Sequence, residues 1–136
     1  MRLFDTAFIV DLTNEEPAAA AIATKVDQER SFAAISVISV HEYLFGVHHT
    51  YRHDSEKLAV KLASARRDLS RFEILPLIRE IVELSAQLHA GLETSGWVIG
   101  INDVYIAATA LHYNLTLVTR DTQHFGRIDQ LKIESY

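Results

Sequence analysis

The sequence predicts an α/β fold with a parallel or mostly parallel sheet and helices on both of its faces. Short apolar runs of strand length end at polar turns, and between them apolar residues recur at the three-to-four spacing of amphipathic helices. Strands that alternate with helices of crossover length are joined in parallel. Such sheets place ligand sites at the carboxyl ends of their strands.

The composition indicates one compact domain over residues 1–136. Of these residues 49% are hydrophobic and 23% charged, with two prolines and five glycines. The absence of cysteine excludes a disulfide scaffold, a thiolate zinc site and a cysteine nucleophile. The apolar N-terminus is interrupted at Asp5, too early for a signal peptide or a membrane span, so we expect a cytoplasmic protein.

The charge distribution gives mixed information about partners. A net charge of −5 argues mildly against a protein that coats nucleic acid, because such proteins neutralise phosphates with basic surfaces. Six positive side chains nevertheless cluster between positions 52 and 71, namely Arg52, Lys57, Lys61, Arg66, Arg67 and Arg71. They can form a basic patch, although the solvated face of an ordinary helix is the simpler interpretation.

The first half of the chain is predicted to contain two strands and three helices. In order, these are a strand at 2–4, a helix at 17–29, a strand at 32–35, a helix from Ser36 or Ser39 to Thr50, and a helix at 54–70. Pro17 suits the first turn of its helix, since a proline there sacrifices no hydrogen bond. Asp54 or Ser55 is a suitable N-cap for the last helix.

The second half repeats the alternation. It is predicted to contain a strand at 72–75, a helix at 76–94, a loop at 95–100, a helix from Asn102 or Asp103 to Tyr113, a strand at 115–118, a helical turn at 123–125 and a strand at 131–134. Pro76 is placed to open a helix, and the two glycines between Ser95 and Gly100 indicate a loop. No internal repeat is present.

Four carboxylates occupy positions from which they can converge on one side of the sheet. Asp5 and Asp121 follow strands, while Glu42 and Asp103 lie near the starts of helices. Grouped carboxylates repel one another unless a cation neutralises them. Oxygen ligands suit Mg²⁺ or Mn²⁺, and the site lacks the His and Cys pattern of zinc. A metal so placed can activate water and stabilise a phosphodiester transition state.

Helix capping is the alternative role for each acid taken alone. Asp5, Asp103 and Asp121 can each cap the helix that follows, and Ser39 with Glu42 matches a capping box. Only the set as a whole favours the catalytic interpretation. Capping predicts no preference for where in the fold the acids lie.

Four motifs, in order along essentially the whole chain, resemble those of the PIN-domain family and in particular its VapC-type toxins. They are LFDTAFIVDL at 3–12, ISVHEYLFGV at 38–47, GINDVYIAATA at 100–110 and LVTRDTQHF at 117–125. Two positions differ from many relatives, which have Asn where Asp121 stands or another Asp where His124 stands. The first difference preserves metal ligation, whereas the second leaves the edge of the pocket undefined.

The resemblance implies a PIN-like three-layer α/β/α fold and a metal-dependent endoribonuclease, the toxin of a toxin–antitoxin pair. It implies that Asp5, Glu42, Asp103 and Asp121 form the acidic pocket, with Thr119 in support. Asp5 and Asp103 would hold Mg²⁺ (or Mn²⁺) directly, and the other two directly or through water. It further implies an RNA substrate, a VapB-type antitoxin and a homodimer.

Two other classes of function were weighed against this hypothesis. A dehalogenase-like phosphatase needs a second Asp two positions after Asp5, where this chain has Ala7, and a receiver domain needs a late lysine that cannot be placed. A non-catalytic PIN-like module for dimerisation or partner binding remains the alternative. Trp97 and Tyr105 can stack on bases, although burial between loop and helix is the simpler interpretation.

Overall fold

The computed structural model describes all residues 1–136 and contains one sheet of five parallel strands. The strands are β1 (Arg2–Phe4), β2 (Ala33–Ser36), β3 (Glu73–Leu75), β4 (Thr116–Val118) and β5 (Ile133–Glu134). Their order across the sheet is β3-β2-β1-β4-β5. The predicted α/β class with a parallel sheet is confirmed.

Seven helices connect or flank these strands. They are α1 (Thr6–Thr13), α2 (Pro17–Glu29), α3 (Val37–Thr50), α4 (Ser55–Leu69), α5 (Arg79–Thr94), α6 (Ile101–His112) and α7 (Thr122–Phe125). None is long and apolar enough to cross a membrane.

The alternation of side chains along the strands divides the core between the two faces of the sheet. Leu3, with its neighbours on the adjoining strands, packs against residues of α5, α6 and α7. Phe4 and its neighbours pack against α1, α2, α3 and α4 on the opposite face. The three central strands, β2, β1 and β4, are largely buried, as expected of a parallel sheet between two helical layers, whereas the edge strands β3 and β5 are partly exposed.

Two helices begin at residues other than those predicted, and a third begins at one of its two predicted residues. Helix α5 starts at Arg79 and not at Pro76, because the chain stays extended through Ile78 as it leaves the sheet. Helix α6 has Gly100 at its N-cap, so neither Asn102 nor Asp103 caps it. Of the two serines proposed for α3, Ser36 is the cap. Local sequence preference cannot choose among nearby caps when the sheet sets where the helix enters its layer.

The central strand β1 lies between β2 and β4. All strands run parallel, but successive strands are added on one side of β1 first and on its other side afterwards. From β1 the order proceeds to β2 and β3 on one side and to β4 and β5 on the other. A crevice therefore opens at the carboxyl ends of β1 and β4, where parallel sheets bind ligands. Asp5 directly follows β1 and Thr119 directly follows β4, so both lie at this crevice.

Candidate active site at the carboxyl edge of the sheet

Asp5 is a buried carboxylate held by two donors. Its Oδ1 accepts the backbone N–H of Phe8 at 2.8 Å, which makes it the N-cap of α1. Its Oδ2 accepts the hydroxyl of Thr119 at 2.6 Å across the two central strands. Burial raises the pKa of Asp5 above its ordinary value, and the two hydrogen bonds only partly oppose that shift. Capping and a place in the site are thus compatible for this residue.

Glu42 does not serve in a capping box, so that prediction is wrong. Ser36 begins α3, and its Oγ accepts the N–H of Ile38 at 3.2 Å, while the hydroxyl of Ser39 is buried inside the helix without a partner. The Glu42 carboxylate instead accepts the Thr6 hydroxyl at 2.6 Å and the Asn102 amide at 3.2 Å. These bonds link three helices, α1, α3 and α6, around one carboxylate.

Asp103 lies in the first turn of α6 and is partly buried. Its carboxylate accepts no hydrogen bond from any protein group, unlike the other three acids. Burial, followed by the negative charges of Glu42, Asp121 and Asp5, raises its pKa to about 6. The structure therefore brings the four predicted acids into one electrostatic site with Asp103 as the member that lacks a partner.

Asp121 sits at the outer edge of this site and caps α7. Its Oδ1 accepts the N–H of His124 at 3.1 Å, and its Oδ2 contacts Nδ1 of the same residue at 2.7 Å. Burial is the largest single influence on Asp121 and acts to raise its pKa, but the side-chain and backbone hydrogen bonds from His124 together outweigh it, so the pKa of Asp121 is lowered. The Thr119 hydroxyl accepts the N–H of Asp121 at 2.9 Å, so Thr119 joins Asp121 to Asp5.

The donor set fits a hard divalent cation. All four side chains offer oxygen, and the raised pKa of Asp103 indicates an uncompensated cluster of negative charge. No three of these side chains are close enough together to hold an ion as they stand. Mg²⁺ commonly keeps several waters and takes only one or two carboxylates directly, so a sparse arrangement of this kind suits it.

Residues 2–131 match the family model described as PIN domain. This chain belongs to the PIN-domain family. It is 34% identical to a VapC ribonuclease of Sinorhizobium fredii over 92% of this chain and 90% of that protein. It is 30% identical to a VapC ribonuclease of Rickettsia bellii over 96% and 92% of the two chains. A VapBC2 structure from Rickettsia felis, bound to a promoter DNA fragment, superposes with a TM-score of 0.82 at 30% identity, covering 99% and 98% of the chains.

A second polar network lies next to the acidic site of this PIN domain. The buried carboxylate of Asp11 receives Arg120 Nη1 at 2.8 Å and the Tyr136 hydroxyl at 2.8 Å. Burial and the bond to Asp11 raise the pKa of Tyr136. Arg120 therefore pairs with a carboxylate outside the acidic site.

Two residues that contact the acids, Thr6 and Asn102, were not predicted from the sequence, and neither was Asp11 in the adjacent network. Thr6 and Asn102 each stand directly beside a predicted acid, and that adjacency is the one signal the sequence offers for them. Asp11 lies within the first motif, but nothing local predicts its pairing with Arg120, which is 109 positions away. Tyr105 is half-buried, whereas Trp97 remains 42% exposed, so the burial expected for Trp97 is wrong.

The raised pKa of Asp103 makes metal-free stability depend on pH. Between about pH 4 and 6 the unfolded chain ionises this group while the folded protein retains its proton, so stability falls as pH rises. Because the Asp103 carboxylate is partly exposed, we expect its ionisation to lower the free energy of unfolding by only about 1–2 kcal/mol above pH 6.5. Urea unfolding of wild type and Asp103→Asn in EDTA measures it. The two should match near pH 4 and the variant should be more stable at pH 7; a constant difference would contradict the prediction.

Proposed function

We propose that this chain is a metal-dependent endoribonuclease that hydrolyses RNA phosphodiester bonds and acts as the toxin of a toxin–antitoxin pair. The relatives that this chain matches over nearly their whole length are named VapC ribonucleases. The single observation in the chain itself that carries the metal dependence is the Asp103 carboxylate. It is partly buried among three other acids and accepts no hydrogen bond.

The proposed role of each acid in metal binding follows from its hydrogen bonds. Asp5 is fixed by Phe8 and Thr119 and offers a carboxylate of defined position. Asp103 has both oxygens available, so these two are the direct ligands in the proposal. Glu42, held by Thr6 and Asn102, and Asp121, held by His124, act directly or through water. When bound, Mg²⁺ or Mn²⁺ supplies the charge that acidifies water and stabilises the phosphate.

The charge of the protein residues makes the metal a requirement for substrate binding. An RNA phosphate approaching four unneutralised carboxylates would be repelled, so the metal-free protein should neither bind RNA at this position nor cleave it. Asp5 and Asp121 stand on the two edges of the crevice, and their fixed positions orient the phosphate between them. Thr119 connects those edges, since it bonds Asp5 on one side and Asp121 on the other.

The proposed protein partner is inferred from a similar solved structure. The Rickettsia felis structure is a VapBC2 assembly, and we therefore propose a VapB-type antitoxin for this chain. A homodimer remains part of the proposal. The chain has no helix that could span a membrane.

The proposal predicts cleavage of RNA only in the presence of divalent metal. Purified protein is incubated with a pool of small RNAs in Mg²⁺, in Mn²⁺, in EDTA, and in EDTA followed by excess Mg²⁺. We expect internal cuts with either metal, none in EDTA, and recovery on adding Mg²⁺ back, which excludes damage by the chelator. Cleavage that persists in EDTA would overturn the metal dependence. Folded, metal-loaded protein that cuts no RNA would favour the non-catalytic module.

A further inference from the structure

A small recess of about 100 Å³ lies beside the acidic site, between the 95–100 loop and α7. Its lining includes Trp97, Ile99, Gln123, His124 and Arg127. The volume is that of about three waters, or of one planar ring. Its walls are mixed, with an aromatic face, an apolar side and three polar side chains, so it is suited to a flat ligand with polar edges.

Both walls of the recess are continuous with residues of the acidic site. On one side, Ile99 is followed by Gly100, which begins the helix that carries Asp103. On the other side, His124 lines the recess and contacts Asp121 at 2.7 Å. A polymer whose phosphate lies among the acids would therefore have an adjacent nucleotide at this recess.

Trp97 and Arg127 form a stacked pair at the mouth of the recess. The Arg127 guanidinium lies 3.0 Å from the centre of the Trp97 ring. Arg127 is exposed and makes no ion pair, and its side chain makes no hydrogen bond. The two exposed phenyl rings, Phe32 and Phe45, carry no cation, and the neighbouring Val98 is 90% exposed. A solvent-facing cation stacked on indole is a surface that binds nucleobases and phosphates together.

We propose that this recess is a nucleobase subsite, in which a base of single-stranded RNA flanking the cleaved phosphate stacks on the Trp97–Arg127 pair. The inference rests on the proposed ribonuclease function and specifies its substrate as unpaired RNA. Stacking on aromatic rings and guanidinium planes requires a base that is free of its helix. Gln123 and His124 provide the polar groups that can bond the edge of that base. Arg127 adds a positive charge next to an acidic site that otherwise repels RNA.

Intrinsic fluorescence tests the subsite without requiring cleavage, because Trp97 is the only tryptophan in the chain. Wild-type protein in Mg²⁺ is mixed rapidly with increasing concentrations of an RNA hexamer of mixed sequence or of an abasic ribose-phosphate hexamer, and the fluorescence is read directly after mixing, before cleavage proceeds. We expect the RNA to quench the fluorescence progressively and the abasic oligomer to leave it unchanged. Equal quenching by both, or quenching by neither, would overturn the proposal. Because the reading precedes cleavage, this result is independent of whether the protein is a nuclease.

Kinetics with matched variants provide the second test. Trp97→Ala should lower kcat/KM for RNA cleavage in Mg²⁺ by roughly 5- to 150-fold, the range that one base–aromatic stack is worth, mainly through KM. Trp97→Phe should retain most of the activity because it keeps a ring. Arg127→Lys keeps the positive charge but loses the planar guanidinium. Its kcat/KM should lie between those of Trp97→Ala and Trp97→Phe. Unchanged kcat/KM in a Trp97→Ala protein with a wild-type melting curve would overturn the subsite.

Discussion

Replacing Asp103 with asparagine is expected to lower RNA cleavage by about 100- to 1,000-fold, because it removes the charge of one of the two proposed metal ligands. Asp103 is the acid whose pKa is influenced by all three of the others, and no protein donor competes for its oxygens. The same substitution removes the repulsion that raises that pKa. In EDTA at pH 7 the variant should therefore unfold about 3–6 °C above wild type.

Two measurements separate a lost ligand from a damaged fold. Cleavage is compared with that of Glu80→Gln, which removes an exposed acid in the first turn of α5 and should behave as wild type. Thermal unfolding is then followed with and without Mg²⁺. Wild type should gain stability from the metal, and Asp103→Asn should lose most of that gain. An equal metal-induced gain in both proteins would place the ion elsewhere.

Truncating Phe8 to alanine is expected to cost about 3–5 kcal/mol of unfolding free energy, a large part of what a domain of this size possesses. Phe8 is 1% exposed, and its ring packs 4.4 Å from that of Phe4 and 5.2 Å from that of Tyr136, between centroids. The substitution leaves a cavity under α1, the helix whose N-cap is Asp5. The site should thus weaken together with the fold.

The matched control is Phe45→Ala, since Phe45 also lies on a helix but is 60% exposed. It should change the unfolding free energy by less than about 0.5 kcal/mol. Urea denaturation of both variants measures the difference, with the slope of the transition checked for a change in the denatured state. A similar small effect at Phe8 would mean that the aromatic cluster beneath α1 does not stabilise the domain.

The alternation of strands and helices was predictable because it is encoded locally. Helix α2 has the predicted bounds Pro17–Glu29, since a proline opens it and alanines propagate it. The strands agree to within two residues at each end, and the agreement of the central ones follows from short apolar runs that suit a sheet covered on both faces. The capping roles of Asp5 and Asp121 were likewise accessible, since a cap bonds residues two or three positions away.

Periodicity thus predicts the fold class, and the motifs that resemble a known family predict the four acids. The hydrogen-bond partners of the acids, by contrast, depend on the tertiary structure. The partners of Glu42 come from 36 and 60 positions away, and Thr119 reaches Asp5 across 114. Contacts of that length depend on strand order, which no local pattern specifies. The raised pKa of Asp103 has the same origin, because burial and neighbouring charge exist only once the chain has folded.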